Sequence, residues 1–231
     1  MITVEDILDF LSAKFPLDTA CDFDNVGLLV GDKNDIVKSV IVCLDCDKSA
    51  IEKAKTLGAN LIVTHHPVIF DGIKSVTADS VVFSLIKSGI SVISMHTNLD
   101  IASGGVTETL CKILGGKEIE NFVCCDGFII RKCKFDGLCA DSLADIIKEK
   151  LGFSVRYCDS GKPINTALVC SGSGGNFIYD AIDDGFDALI TADVKHNQFI
   201  DAINCGVSLF DAGHYASENI IVPVLCDLLK S

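Results

Sequence analysis

Positive charge is scarce in this sequence. It contains only two arginines, Arg131 and Arg156, it has no run of lysines, and its net charge is −13 at pH 7. Proteins that bind nucleic acids or anionic membranes concentrate lysine and arginine because they must neutralise phosphates. The scarcity argues against DNA, RNA and membrane surfaces as partners.

Long apolar runs are missing as well. A membrane-spanning helix needs about 20 consecutive apolar residues, and no segment approaches that length. Residues 1–15 carry Glu5, Asp6 and Asp9 inside their apolar pattern and lack the basic start of a secretory signal. We interpret them as an amphipathic helix and expect a soluble, cytoplasmic protein.

Cysteine, in contrast, is abundant, with twelve residues. Small secreted proteins depend on disulfides because they lack a core, whereas 49% of this chain is hydrophobic. We therefore expect reduced thiols. Cys43 and Cys46 have the spacing of a redox dithiol, and the alternative is that they are small packing residues.

Strands and helices alternate along both halves of the chain. In the first half, apolar runs predict β-strands at 38–44, 60–64 and 90–95 and helices at 48–57 and 81–87. Glycines at 58 and 89 end the two helices. The second half repeats the order at 165–170, 177–182, 188–191, 197–204 and 207–210.

The two halves also match locally, since residues 58–64 align with 185–191 and residues 89–92 with 206–209. We therefore predict an α/β fold of two similar units, a duplicated βαβαβ, with parallel sheets covered by helices. The predicted units are residues 1–120 and 121–231. Residues 111–136 form the crossing region and residues 141–151 an acidic helix of the second unit.

All five histidines lie just after predicted strands. They occur in four polar segments: Thr64-His65-His66-Pro67, His96-Thr97-Asn98-Leu99-Asp100, Asp193-Val194-Lys195-His196 and Asp211-Ala212-Gly213-His214-Tyr215-Ala216-Ser217-Glu218. Ligands of open α/β folds bind at the carboxyl ends of the strands. We therefore expect one polar pocket, with the metal site between the two units.

The spacing of these residues favours two metal ions. Adjacent histidines that leave a strand point in different directions, and a residue pair at i and i+4 lies one helical turn apart. The predicted ligands are three imidazoles and two carboxylates, a set that suits Zn, Fe or Mn better than Ca or Mg: His65, His66, Asp100, His214 and Glu218. His96 and His196 are either further ligands or residues that orient the ligands or face the substrate.

A glycine-rich turn, residues 171–175, precedes the helix predicted at 177–182. Such a turn can hold a phosphate, but this one lacks the G-x-G-x-x-G pattern and the lysine of a P-loop. We interpret it as a plain flexible turn.

Together with Asp24-Asn25-Val26-Gly27-Leu28, the four histidine segments resemble motifs of the GTP cyclohydrolase I type 2 homologue family, also called NIF-three-like proteins. The resemblance spans nearly the whole chain. It implies a dinuclear metal centre with the same five ligands, Glu218 as the bridge, and a ring-shaped homo-oligomer, commonly a hexamer. Phe23 stands where the family often has Trp, and Ala192 where it often has Gly.

Three functions remain open. The first is a metal-dependent hydrolase, in which paired ions activate a water molecule that attacks a nucleotide-like substrate. The resemblance implies that the reaction is opening of the GTP ring. His96 or His196 then transfers a proton, and Lys195 contacts a phosphate. The second is a non-catalytic ring whose metals organise an interaction surface. The third is redox chemistry at Cys43 and Cys46.

Overall fold

The computed structural model describes residues 1–230 and divides them into two compact units. The first unit contains residues 1–103 and 222–230, and the second contains residues 104–221. These limits differ from the predicted boundary at residue 120. The reason is that the helix at Val106–Ile113 packs on strands of the second sheet, which places it in the second unit.

The first unit is built on a four-stranded sheet. Its elements, in chain order, are α1 (Val4–Lys14), β1 (Gly27–Val30), β2 (Val40–Cys43), α2 (Lys48–Leu57), β3 (Leu61–Thr64), α3 (Val81–Ser88), β4 (Ser91–Ser94) and α4 (Thr97–Ile101). The strand order is β1-β4-β3-β2. Strands β2, β3 and β4 are parallel, and β1 runs antiparallel to β4.

Local sequence signals set the limits of the helices in this unit. The side chain of Asp47 accepts a hydrogen bond from the backbone N–H of Ala50 and caps the start of α2. Gly58 and Gly89 end α2 and α3 in the left-handed conformation that glycine adopts without strain. Every residue of β3 and β4 is buried, as expected for a parallel sheet that is covered by helices.

The second unit contains a six-stranded sheet. Its elements are α5 (Val106–Ile113), β5 (Lys117–Val123), β6 (Ile129–Leu138), α6 (Ala140–Leu151), β7 (Arg156–Cys158), β8 (Ile164–Ser173), α7 (Ile178–Asp183), β9 (Ala188–Ala192), α8 (His196–Cys205), β10 (Ser208–Asp211) and α9 (His214–Glu218). Helix α10 (Ile221–Lys230) follows, and its residues from 222 onward belong to the first unit.

The second sheet repeats the arrangement of the first. Its strand order is β5-β6-β8-β9-β10-β7. Strands β8, β9 and β10 are parallel, and β7 runs antiparallel to β10, just as β1 runs antiparallel to β4. The predicted duplication of an α/β unit is confirmed.

Residues 111–136, predicted as a crossing region, contain most of an antiparallel hairpin formed by β5 and β6. The parallel-strand pattern of long apolar runs is absent there. Instead, buried Arg131, Cys133 and Phe135 alternate with Lys132 and Lys134, which pair with glutamates of β5. The hairpin was missed because one side of it is polar, unlike the fully buried parallel strands.

No helix within residues 1–230 is both long enough and apolar enough to cross a membrane.

Candidate metal centre

Ligand-capable side chains of the first unit follow the carboxyl ends of its parallel strands. His65 and His66 come directly after β3, His96 follows β4, and Asp45 follows β2. Because parallel strands end at the same edge of a sheet, these side chains are brought together there. The placement predicted for the histidines at the strand ends is confirmed within this unit.

The three histidines of this unit form a compact group, the three-histidine cluster: His65, His66 and His96. One ring nitrogen of each lies within 4.8 Å of the others. Their ring centroids are 5.0 to 5.6 Å apart. His65 is fully buried, whereas the other two are partly accessible. Imidazole is a preferred ligand of Zn, Fe and other transition metals, so the cluster can bind a metal ion.

The Nδ1 atom of each ring in the cluster forms a hydrogen bond with an acceptor oxygen. Nδ1 of His65 lies 2.9 Å from the Met95 carbonyl oxygen, Nδ1 of His66 lies 2.8 Å from Asp45 Oδ1, and Nδ1 of His96 lies 2.8 Å from an oxygen of another carboxylate. Carbonyl and carboxylate oxygens only accept, so each Nδ1 donates its hydrogen. In the neutral rings, Nε2 therefore carries the lone pair that a metal ion requires.

The carboxylate that accepts from His96 belongs to Asp24. It also accepts hydrogen bonds from the backbone N–H of Thr97, at 3.0 Å, and from the Thr97 hydroxyl, at 2.5 Å. Burial opposes ionisation of Asp24, but hydrogen bonds from His96 and Thr97 more than offset it and lower its pKa. Asp24 is thus a carboxylate that holds the His96 ring in one orientation.

Asp100 adds an oxygen donor to the first unit. It lies on α4, which begins beside His96, and its Oδ1 is 3.6 Å from Nε2 of His65. The backbone N–H of Asp100 donates to the carbonyl of His96 at 3.0 Å, which fixes the turn. Of the five predicted ligands, the first unit therefore carries His65, His66 and Asp100.

The second unit carries the other two predicted ligands, His214 and Glu218, on α9. Nε2 of His214 lies 3.0 Å from Glu218 Oε2, and its Nδ1 lies 2.7 Å from Asp193 Oδ2. The hydrogen bond to Glu218 and, after it, that to Asp193 outweigh burial and raise the pKa of His214 to about 9. A metal ion that binds this pair must displace the His214 proton.

Gly172 makes room for the Glu218 carboxylate. A Cβ atom at position 172 would lie 2.0 Å from Glu218 Oε1, and the residue has a positive φ of 59°. Its N–H donates to Ser217 Oγ at 3.2 Å, and its carbonyl accepts from Thr191 Oγ1 at 3.2 Å. The interpretation of residues 171–175 as a plain flexible turn is wrong, because residues 171–173 belong to β8 and are fixed by these contacts.

Asp211 orders the turns before and beside α9. Its buried carboxylate accepts hydrogen bonds from the N–H groups of Val194 and Gly213, at 3.3 and 3.2 Å, and pairs with Arg156. The first contact fixes the turn after Asp193, and the second fixes the residue before His214. Asp211 thereby positions both partners of the His214–Asp193 hydrogen bond.

Lys195 and His196, predicted as phosphate-contacting and proton-transferring residues, are exposed at the start of α8. The Lys195 backbone N–H donates to Gln198 Oε1 at 2.7 Å. Neither residue belongs to a group of clustered ligand atoms in the part of the chain that the structure describes. Their predicted roles remain predictions.

The roles of Asp24 and Asp45 as hydrogen-bond partners of His96 and His66 were not predicted from the sequence. Asp45 could have been found by the rule that located the histidines, because it follows a parallel strand, β2. Asp24 lies in a segment that resembles a family motif, but its contact with His96 could not be predicted, because Asp24 precedes β1 and reaches His96 across 72 positions of the chain.

Cys43 and Cys46 are not activated thiols. Burial raises the pKa of Cys43 to about 12 and that of Cys46 to about 11. A redox dithiol needs a thiolate at neutral pH, which a lowered thiol pKa provides. None of the twelve cysteines, all of which lie within residues 1–230, forms a disulfide, and the burial of this pair favours packing over redox chemistry.

Comparison with known proteins agrees with the sequence motifs. A curated relative from Clostridium perfringens, called GTP cyclohydrolase 1 type 2 homolog, is 32% identical over 93% of this chain and 86% of its own length. A Campylobacter jejuni protein of the same name is 33% identical over 99% and 92%. A crystal structure of a Staphylococcus aureus hypothetical protein superposes with a TM-score of 0.88 at 29% identity, covering 99% of this chain and 92% of that one.

The profile of one family extends over almost the entire sequence. It is described as Duf34/NIF3 (NGG1p interacting factor 3), and it matches residues 2–231. With relatives above 30% identity along nearly the full length, the chain belongs to the Duf34/NIF3 family.

Proposed function

We propose that the protein is a metal-dependent hydrolase with two divalent ions per chain, of Zn, Fe or Mn. The proposed ligands are those predicted from the sequence: His65, His66, Asp100, His214 and Glu218. Imidazole nitrogen and carboxylate oxygen are the donors that these metals share. Glu218 is the proposed bridge, as the resemblance to the family implies, and its carboxylate has the two oxygens that this role requires.

One observation carries the metal proposal. In the rings of His65, His66, His96 and His214, Nδ1 contacts an acceptor that is a backbone carbonyl or a carboxylate. Metal-binding histidines are held in this way, because the hydrogen bond at one nitrogen fixes the orientation of the other and raises its basicity. Buried histidines that only pack are hydrogen-bonded as well, but four rings that are all held through Nδ1 match the arrangement of metal ligands.

The metal ions, when bound, would supply activation of water and stabilisation of negative charge on the substrate. The chain's own residues then position and exchange protons. His96 is the proposed proton carrier, since Asp24 orients its ring and Nε2 is the remaining exchange site. His196 and Lys195 are proposed to act on the substrate from the start of α8.

The substrate proposal follows from the relatives. Several of them are called GTP cyclohydrolase 1 type 2 homolog, and we propose that this chain hydrolyses a nucleotide-like small molecule. Opening of the GTP ring is the specific form of this proposal.

The test has two stages. Elemental analysis of protein purified without added metal should give about two ions per chain, and metal-loaded protein should then release formate, phosphate or a pterin precursor from GTP or from a panel of nucleotides and phosphoesters. Glu218→Gln should lose both metal and activity. Glu149→Gln is the matched control, because Glu149 is an exposed glutamate of the same unit. Turnover that is equal in wild type and Glu218→Gln would contradict the hydrolase proposal.

The second candidate is a non-catalytic ring in which metal ions organise an interaction surface. The description of the family as an interacting factor supports it, and it shares with the first candidate the proposed homo-oligomer, a hexamer. Light scattering should give a mass near six times 24.6 kDa. Bound metal without turnover across the panel would favour this candidate over the hydrolase.

A further inference from the structure

Two exposed phenylalanines lie beside the three-histidine cluster. Phe23 is 67% exposed and Phe70 is 47% exposed, and their ring centroids are 6.3 Å apart with an angle of 41° between the planes. The Phe70 ring is also 6.1 Å from the His96 ring, at 80°. We call Phe23 and Phe70 the aromatic pair. Single exposed apolar residues are common on protein surfaces, but two that adjoin each other and a ligand-capable histidine are not explained by folding.

Hydrogen bonds anchor both segments that carry the pair. The first segment is held through Asp24, which accepts from the backbone N–H of Thr97 at 3.0 Å. Asn25 then joins the two segments, because its Nδ2 donates to the carbonyl of Ile69 at 2.6 Å, one residue before the second ring. The rings are therefore set in place before any ligand arrives, which reduces the entropy lost on binding.

The area of the pair limits what it can bind. An aromatic side chain offers roughly 150–250 Å², whereas a stable protein interface buries about 1,200 Å² or more. Two partly exposed rings fall well short of that area, so the pair suits a small molecule better than a protein. Stacking of a base on an exposed aromatic face contributes about 1–3 kcal/mol of binding free energy for each base.

The charges around the pair favour one kind of ring. In the sequence, Asp22 and Asp24 flank the first phenylalanine and Asp71 follows the second, and the surrounding residues 15–32 and 56–73 contain no lysine or arginine. Carboxylates beside aromatic faces attract cations and repel anions. The pair is thus better matched to an uncharged or cationic ring than to a phosphate group.

We propose that the aromatic pair is a stacking site for the planar heteroaromatic ring of the substrate, an uncharged or cationic base. The proposal deepens the proposed function and rests on it, because it places the ring beside His96 and its neighbours in the three-histidine cluster. The pair would decide which ring is accepted, and His65 and His66 would be among the residues that hold the metal ions.

The experiment is calorimetric titration of the metal-loaded full chain with guanosine, and with ribose as the probe that lacks the ring. Guanosine should bind and ribose should not. Phe23→Ala and Phe70→Ala should each weaken guanosine binding about 5- to 150-fold, which corresponds to the stacking range above. Phe23→Trp should retain binding, whereas Phe23→Leu, which keeps apolar volume without a flat face, should behave like Phe23→Ala.

Phe10→Ala is the control, since Phe10 is a partly exposed phenylalanine on α1 of the same unit, and its guanosine affinity should stay within about twofold of wild type. Metal content is measured on every variant. If the metal content is normal but guanosine does not bind, or binds equally to all variants, the stacking site is overturned. The metal proposal then still stands. If the wild-type protein takes up no metal but binds guanosine and not ribose, the stacking site is supported and the metal-dependent hydrolase is overturned.

Discussion

Gly172 and Glu218 lie so close that no side chain fits at position 172, since a Cβ atom there would be 2.0 Å from Glu218 Oε1. Gly172→Ala must therefore displace a buried carboxylate, in addition to the cost of about 1–2 kcal/mol for a left-handed alanine. We expect a marked loss of metal affinity. The control is Gly185→Ala, because Gly185 also has a positive φ but open space around it. Equal metal affinities of the two variants would contradict the positioning of Glu218 by Gly172.

The partner of the His66 ring gives a second prediction. Asp45→Ala removes the acceptor for His66 Nδ1 without removing a proposed ligand. Loss of such a partner lowers metal affinity about 10- to 100-fold, and competition with a chromophoric chelator measures it. Asp9→Ala makes the same change in net charge at an exposed position of α1, and this variant should bind metal as the wild type does. An unchanged affinity in Asp45→Ala would show that the ring needs no such support.

Metal removal should lower thermal stability. A ligand present at 1,000 times its dissociation constant stabilises the folded state by about 4 kcal/mol, and 1 kcal/mol shifts the melting temperature of a protein of this size by about 2–4 °C. Treatment with a chelator should thus lower the melting temperature by roughly 8–16 °C for each ion that is bound so tightly. Reloading with Zn or Mn should restore it. A melting temperature that responds to neither step would count against a bound metal.

His214 makes the stability of the metal-free protein depend on pH. Its pKa rises from 6.5 in the unfolded chain to about 9 in the fold, chiefly through its hydrogen bond to Glu218. The resulting stabilisation is complete below pH 6.5 and is lost as the pH rises toward 9, because the unfolded chain releases the proton first. Urea unfolding at pH 6 and pH 9 should show this loss. It should be smaller in His214→Gln, and an identical loss in both proteins would assign the effect to other groups.

Thiol reactivity separates packing cysteines from reactive ones. Hydrogen bonds from Ser142 lower the pKa of exposed Cys139, whereas burial raises that of Cys43 to about 12. Because the thiolate is the nucleophile, iodoacetamide at pH 7.5 should label Cys139 well before Cys43 or Cys46, as read by peptide mass spectrometry. Replacing both Cys43 and Cys46 with Ser should leave metal binding intact. Rapid labelling of Cys43 would revive the redox hypothesis.

The sequence predicted the parts of the fold that depend on local patterns. The limits of α2 followed from its apolar spacing and from Gly58, and the strands that precede His65 and His96 followed from continuous apolar runs. The hairpin of β5 and β6 could not be predicted in the same way, because its alternating polar face resembles a surface loop. The role of Asp24 was equally hidden, since its partner His96 is distant in sequence and only folding brings the two together.

The order of segments along the chain has a consequence for biosynthesis. The second unit is one continuous stretch, residues 104–221, whereas the first is interrupted and includes residues 222–230. Domains tend to fold as units while the polypeptide emerges from the ribosome. The first unit, whose larger segment is translated before the second unit, is therefore completed after it. Residues 222–230 of α10, which belong to the unit that carries the three-histidine cluster, are synthesised only after the entire second unit.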